Sequence, residues 1–257
     1  MDPARDEPDR GGAALPLAVG NIAALCRTRV ADRGHAPFLT YYDDASGERT
    51  ELSYATFDNW ASKTANLLNE ELGVARGATV WLTVTDHWTG AVILVAAWKL
   101  GAAVGPRWTP DATAAEIIVV DEATATTTSH PASRLLTLGR GIGGRTTAQV
   151  PGLAFGEEVS AFADDYDDPD VTLDDPALVM QGRTLRQGEL LAAAASRRLH
   201  RDDRLLTTRP LETEAAVVDG LVAPLLVGAS VVWSVATPAD ALARRASEER
   251  VTVTHEH

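Results

Sequence analysis

The stretches ELSYATFDNWASKTANLLNEELG (51–73), TVWLTV (79–84) and HWTGAVILVAAWKLGAAVGP (87–106) decide the fold. In the first, Phe57, Trp60, Ala61, Ala65, Leu67, Leu68 and Leu72 recur at the spacing of one helical face, and Ser53 is placed to cap that helix. Gly73 and Gly77 stop it and bracket the turn. Residues 79–84 are a short β-branched apolar run, and a second helix over about 88–100 ends at Gly101. Helix, strand, helix and strand in that order predict a parallel sheet covered by helices. Trp60, Leu67, Trp98 and Leu100 are the expected core between the sheet and its helices.

The same residues carry a family resemblance. LSYATF (52–57) resembles the opening motif of the adenylate-forming (AMP-binding) superfamily, which includes acyl-CoA synthetases, luciferases and peptide-synthetase adenylation domains. AAWKLGAAVGP (96–106) is similar to the next motif, a helix end running through Gly into a strand and Pro. Both are packing signatures and speak to fold rather than to catalysis. In length and order the chain resembles most closely a short, truncated AMP-binding-like family of high-GC bacteria. The resemblance implies an α/β fold of parallel or mixed sheets flanked by helices, like the N-terminal part of the large domain of those enzymes.

At 257 residues and 45% hydrophobic content, the chain can bury a substantial core. A net charge of −13 argues against duplex nucleic acid or an anionic membrane surface as partner, because both need a basic footprint. The single Cys26 excludes an intrachain disulfide, no apolar run reaches membrane-spanning length, and MDPARDEPDRGG (1–12) lacks the apolar core of a signal peptide. A cytoplasmic protein is the expectation. Residues 1–14 read as a disordered tail and 15–257 as one domain, with a loop-rich acidic connection at about 139–175.

Along the chain, residues 17–30 read as a helix with Cys26 on its apolar face, a packed structural thiol rather than a nucleophile. Residues 38–42 and 49–52 predict a hairpin across DDASGE, and 116–120 and 135–138 predict strands. GRGIGG (139–144) satisfies the dinucleotide-binding glycine pattern in form only, because RTTAQVPG follows where a helix is needed; it reads as a loop. The acidic run over 157–175 fits no calcium-loop spacing and is broken by Pro169, so it reads as a solvated linker. His87 could serve as a base, but no motif places a nucleophile with it; His35, His130 and His200 read as surface residues, and His255 and His257 as a frayed tail.

DDPALVMQGRTLRQGELLAAAASRRL (174–199) bears on activity. In the superfamily, a strand like 177–180 is followed by a Ser/Thr/Gly-rich loop ending in Pro-Lys-Gly that wraps the ATP phosphates; here QGRTLRQ alone leads to the helix. Downstream, 203–233 resembles the segment in which an aromatic–His pair follows Pro-Leu and lines the acyl pocket. The matching positions hold Glu212 and Thr213, a departure from the usual carboxylate-substrate pocket. The superfamily's adenine pocket, magnesium-holding acid, ribose-binding Asp and catalytic Lys have no counterpart in the sequence. Nucleotidyl transfer depends on positioned charge around the phosphates, so the resemblance implies a non-catalytic binding, scaffold or regulatory protein. The alternative is a component of an acyl-adenylate or acyl-CoA-forming enzyme that needs a second chain for the nucleotide half. A homodimer or protein partner is expected to cover the sheet edge left open. One phosphate-binding candidate remains, Gly182, Arg183, Thr184 and Arg186 at the approach to a helix amino end, which would hold a nucleotide or CoA weakly. Against it, Thr184 and Gln187 have capping-box spacing and could satisfy the same N–H groups.

Overall fold

The computed structural model describes residues 19–106, 117–129 and 132–255. The tail at 1–14, His130 and His257 lie outside the described residues. The chain begins with α1 (Ile22–Arg33), then a hairpin of β1 (Pro37–Asp43) and β2 (Glu48–Ser53), and α2 (Tyr54–Glu70). Next come β3 (Thr79–Leu82), α3 (Trp88–Lys99), β4 (Ala103–Gly105), β5 (Ile117–Asp121), α4 (Glu122–Thr127), β6 (Leu135–Leu138), β7 (Leu153–Ala154) and α5 (Phe155–Glu158). β8 (Pro176–Met180), β9 (Arg183–Arg186), α6 (Gln187–Ala195) and β10 (Arg204–Thr207) lead into α7 (Glu214–Val217), which runs through a π turn (Val218–Val222) into α8 (Ala223–Val227). β11 (Ser230–Val235), α9 (Ala239–Glu248) and β12 (Val253–His255) follow.

Among the described residues the strands form two mixed sheets, ordered β12-β10-β11-β1-β2 and β7-β6-β5-β3-β4-β8-β9. All neighbours are parallel except the hairpin pairs β1–β2 and β8–β9. The first sheet turns Leu39, Tyr41, Val231 and Trp233 toward a core shared with α1, α2, α3, α6 and α8. The second sheet closes that core from the other side through Val80, Leu82, Val119 and Leu178, and on its far face α4 packs Ala125 against Ile118, Val120 and Leu135. α1, α2, α3, α6 and α8 are thus layered between two sheets, with α4 outside them.

α3 is the centre. Every residue from Trp88 to Lys99 is buried, as expected of a helix apolar all round. Trp98 is fully buried and its indole N–H donates to the Ala177 carbonyl of β8 at 2.7 Å, which ties the helix to the second sheet. A Cβ at Gly90 would lie 2.2 Å from the Val84 carbonyl oxygen, so only glycine lets α3 approach the end of β3 this closely. Leu67 and Leu100 are buried as expected, whereas Trp60 is only partly buried and packs edge-on against Trp88. Buried Lys99 pairs with Asp58 at 2.7 Å and donates to Ser62, which accounts for its charge in the core.

Two expectations are corrected. α1 starts at Ile22 rather than 17, because the Asn21 side chain accepts the Ala24 N–H and caps it. The segment 181–187, read as a direct link from strand to helix, contains the turn of a hairpin and the whole of a further strand, β9. The acidic connection is less free than its composition suggests, since Asp175 is buried and held by the Arg76 guanidinium at 2.7 and 2.8 Å.

Candidate functional site

In the second sheet the chain order reverses at β3: β4 follows on one side and β5 on the other. α3 and α4 therefore cover opposite faces, and a crevice opens outside the carboxyl ends of β3, β5 and β6, where ligands of open α/β sheets bind. A cavity of about 250 Å³ lies there, lined by Asp121, Glu122, Ala123, Leu138, Arg140 and Thr147. Asp121 ends β5 and caps α4 by accepting the Thr124 N–H at 2.8 Å. Glu122 accepts the Thr147 hydroxyl at 2.6 Å, and Arg140 reaches Asp86, past the end of β3, at 2.9 and 3.2 Å.

Asp86 links this crevice to the first sheet. Its carbonyl accepts the hydroxyl of Tyr41 from β1 at 3.2 Å. Beside it, the Thr85 carbonyl accepts the Leu211 N–H at 2.8 Å and the Thr85 hydroxyl donates to Glu212 at 3.1 Å. A polar seam thus runs from Glu212 through Thr85, Asp86 and Arg140 to the cavity, along the carboxyl ends of parallel strands in both sheets.

On the first sheet, register places His255, Thr207, Trp233 and Tyr41 side by side across β12, β10, β11 and β1. Trp233 Nε1 and His255 Nδ1 are buried without a hydrogen-bond partner. Such unpartnered groups cost free energy, and two in one row mark a place where a ligand's acceptor or donor would be satisfied. The π turn after α7 approaches this row at Thr207, whose side chain would lie 3.8 Å from a Cβ at Gly220.

His87 sits between the crevice and the edge strand β2. It is buried and serves as the N-cap of α3: Nδ1 accepts the Thr89 N–H at 3.3 Å, which leaves the proton on Nε2, directed at Glu48 at 3.1 Å. Glu48 also accepts the Trp88 indole N–H at 2.9 Å. Burial acts to raise the Glu48 pKa, and the hydrogen bonds from His87, Thr50 and Trp88 outweigh it and hold the carboxyl below its ordinary value.

The four phosphate-site candidates do not converge. Gln181 and Gly182, with φ of 51° and 76°, make the two-residue turn between β8 and β9. Arg183 and Arg186 differ by an odd number along β9 and so face opposite sides of the sheet. Arg183 pairs with Glu189 at 2.7 Å and Arg186 with Asp174 at 3.3 Å, while Thr184 stands opposite Val179. The amide groups that a phosphate would need are occupied: Arg186 N–H by Glu189 at 2.8 Å, Gln187 N–H by the Asp175 carbonyl and Gly188 N–H by the Leu173 carbonyl. The cap is therefore made by Glu189 and not by the Thr184–Gln187 pair. Gln187 is instead buried between α1 and α3, accepting the Ile22 N–H and donating to the Trp98 carbonyl.

GRGIGG folds as a tight turn, closed by Gly139 N–H to Gly144 O, in which a Cβ at Gly139 would meet Arg145 O at 1.9 Å. Among the described residues no three side chains of metal-ligating type gather, and no helix is long and apolar enough to cross a membrane. The seam and the His255–Trp233 row were not singled out from sequence. Both are made by register between strands far apart in the chain, and only the rule that sites lie at strand carboxyl ends could have pointed to them.

Residues 26–256 match the family model of the AMP-binding enzyme. A TIGR03089 family protein of Mycobacterium tuberculosis is 36% identical over 222 residues, covering 84% of this chain and 90% of that protein. The fold is similar to the N-terminal domain of FACL13 from Mycobacterium tuberculosis (TM-score 0.73, 18% identity, 91% of this chain and 62% of that one). It is also similar to an acyl-CoA synthetase of Brucella canis (TM-score 0.76, 16% identity, 95% and 48%) and to the anthranilate CoA ligase AuaEII (TM-score 0.76, 17% identity, 93% and 50%). The chain spans about half the length of those two ligases. With its two sheets, sandwiched helices and this family match, the chain belongs to the AMP-binding enzyme family.

Proposed function

We propose that the chain is a non-adenylating member of this family, which keeps the helices and sheets as a scaffold for binding a small ligand or a protein partner. One observation carries this reading: the connection after β8 is a two-residue hairpin turn at Gln181–Gly182, where the family resemblance calls for a phosphate-wrapping loop. Phosphoryl and nucleotidyl transfer are catalysed almost wholly by positioned charge around the phosphates, and a two-residue turn offers neither length nor donors for that. Glu212 and Thr213 in place of an aromatic–His pair support the same reading for the acyl side. The crevice at the strand carboxyl ends is the place for a ligand, and an open strand edge the place for a homodimer or protein partner.

ATP–pyrophosphate exchange, measured for the chain alone and with proteins co-purified with it, tests the proposal. No exchange in either case is expected. Exchange by the chain alone overturns it, and exchange only in the presence of a second chain replaces it with a two-chain enzyme. Light scattering and pull-downs test the partner: a monomer at all concentrations that recovers nothing removes that part.

A further inference from the structure

α9 and β12 are attached differently from the rest of the fold. No residue of α9 is buried, and among the described residues β12 pairs through three residues with β10 alone. β12 is held by that short ladder and by Val253 packed on the core, and α9 is tied down chiefly by charge. Arg245 of α9 binds Asp44 through two bonds of 2.8 and 3.0 Å, donates to Thr237 at 2.8 Å, and lies 4.0 Å from the centre of the Tyr42 ring. Glu249 accepts from Arg204 of β10 and from the Tyr42 hydroxyl of β1, with Arg49 of β2 at 3.6 Å. Thr252 adds a hydroxyl bond to Asp203 at 2.9 Å. The helix is flanked by two non-glycine residues in the left-handed region, Ala236 with φ of 53° before it and Arg250 with φ of 54° after it. Such positions are strained and relax when the segment they flank comes free.

We propose that residues 236–255 form a charge-held latch that opens as a unit while the rest of the fold stays closed, carrying His255 out of the row it shares with Thr207, Trp233 and Tyr41. Segments with few buried apolar contacts are those that open below the global unfolding free energy. Opening removes one wall of the row and bares the edge of β10, so the latch sets access to that end of the first sheet whether or not the chain adenylates anything. Its direction with pH follows from the groups that face it. The hydrogen bonds from Arg245 hold Asp44 below its ordinary pKa, with Arg244 adding to the effect. Burial acts to raise Glu249, and the bonds from Tyr42 and Arg204, with the charge of Arg49, outweigh it and leave the carboxyl lowered. Both carboxylates are charged in the closed form, so their contribution to closure is complete above their ordinary values and is lost as pH falls below these through the lowered values of the closed form.

Hydrogen exchange read by mass spectrometry on the full chain tests this at neutral pH, in low salt and at about 1 M salt, where the Debye length is about 3 Å. Peptides within 239–255 should exchange at least tenfold faster than those of β11 and α3, faster again in high salt, and faster by a further tenfold in Glu249→Gln and in Asp44→Asn with α3 unchanged. Protection of 239–255 equal to that of β11 and insensitive to salt overturns the proposal. So does a variant that speeds exchange everywhere alike, because the segment would then belong to the global unit.

Discussion

Trp98 combines two tasks: its ring fills the space between α3 and the sheet, and its N–H satisfies the Ala177 carbonyl. Trp98→Ala leaves both a cavity and an orphaned carbonyl, and should cost about 3–5 kcal/mol, read as a lowered urea midpoint at unchanged slope. Cys26 was legible as a structural thiol because it lies on the apolar face of its helix with no His or basic cluster beside it, and it is buried, with its pKa pushed up to about 12 by that burial. His87 was not legible as a cap, since imidazole is an uncommon capping group and its role depends on Glu48, 39 positions away in the chain.

At the scale of elements, what the sequence conveyed were long helices with periodic apolar faces and strands flanked by glycine. α2, α3 and the β1–β2 hairpin lie close to where the spacing puts them. β9 was missed because RTLR is short, polar and exposed apart from Leu185, and because glutamine gives little hint of a left-handed turn residue. That turn yields a prediction of opposite signs. Gln181→Gly should stabilise by roughly 0.5–1 kcal/mol by relieving a strained φ, whereas Gly182→Ala, at φ of 76°, should destabilise by about as much or more; thermal unfolding of both variants decides it. Because the helix amide groups behind this turn already have partners, calorimetry with ATP, AMP or CoA should give the same heat for the wild type and for Arg183→Ala.

For the whole molecule, buried titratable groups limit stability from both sides in pH. On the acid side, burial acts to raise Asp175, but hydrogen bonds from Arg76 and Thr172 hold it below its ordinary 3.8, and Glu249 likewise lies below 4.5. A carboxylate with a lowered folded pKa adds stability that is complete above the unfolded value and lost as pH falls through the folded one. On the alkaline side the order is reversed. Cys26 rises from 9.0 to about 12, and burial likewise raises Tyr41 and Tyr54 above their ordinary 10.0. Groups whose folded pKa is raised hold their protons more tightly when folded, so their contribution is full below the unfolded values and fades as pH climbs toward the folded ones. The urea midpoint should therefore be level from about pH 5 to about pH 9 and fall on each side. Asp175→Asn should flatten the acid limb while leaving the alkaline limb in place. Cys26→Ala should remove the part of the alkaline loss that begins near 9.0 and leave the part, due to the tyrosines, that begins near 10.0. A midpoint that keeps rising above pH 9, or an acid limb identical in Asp175→Asn, contradicts this assignment of the two limbs.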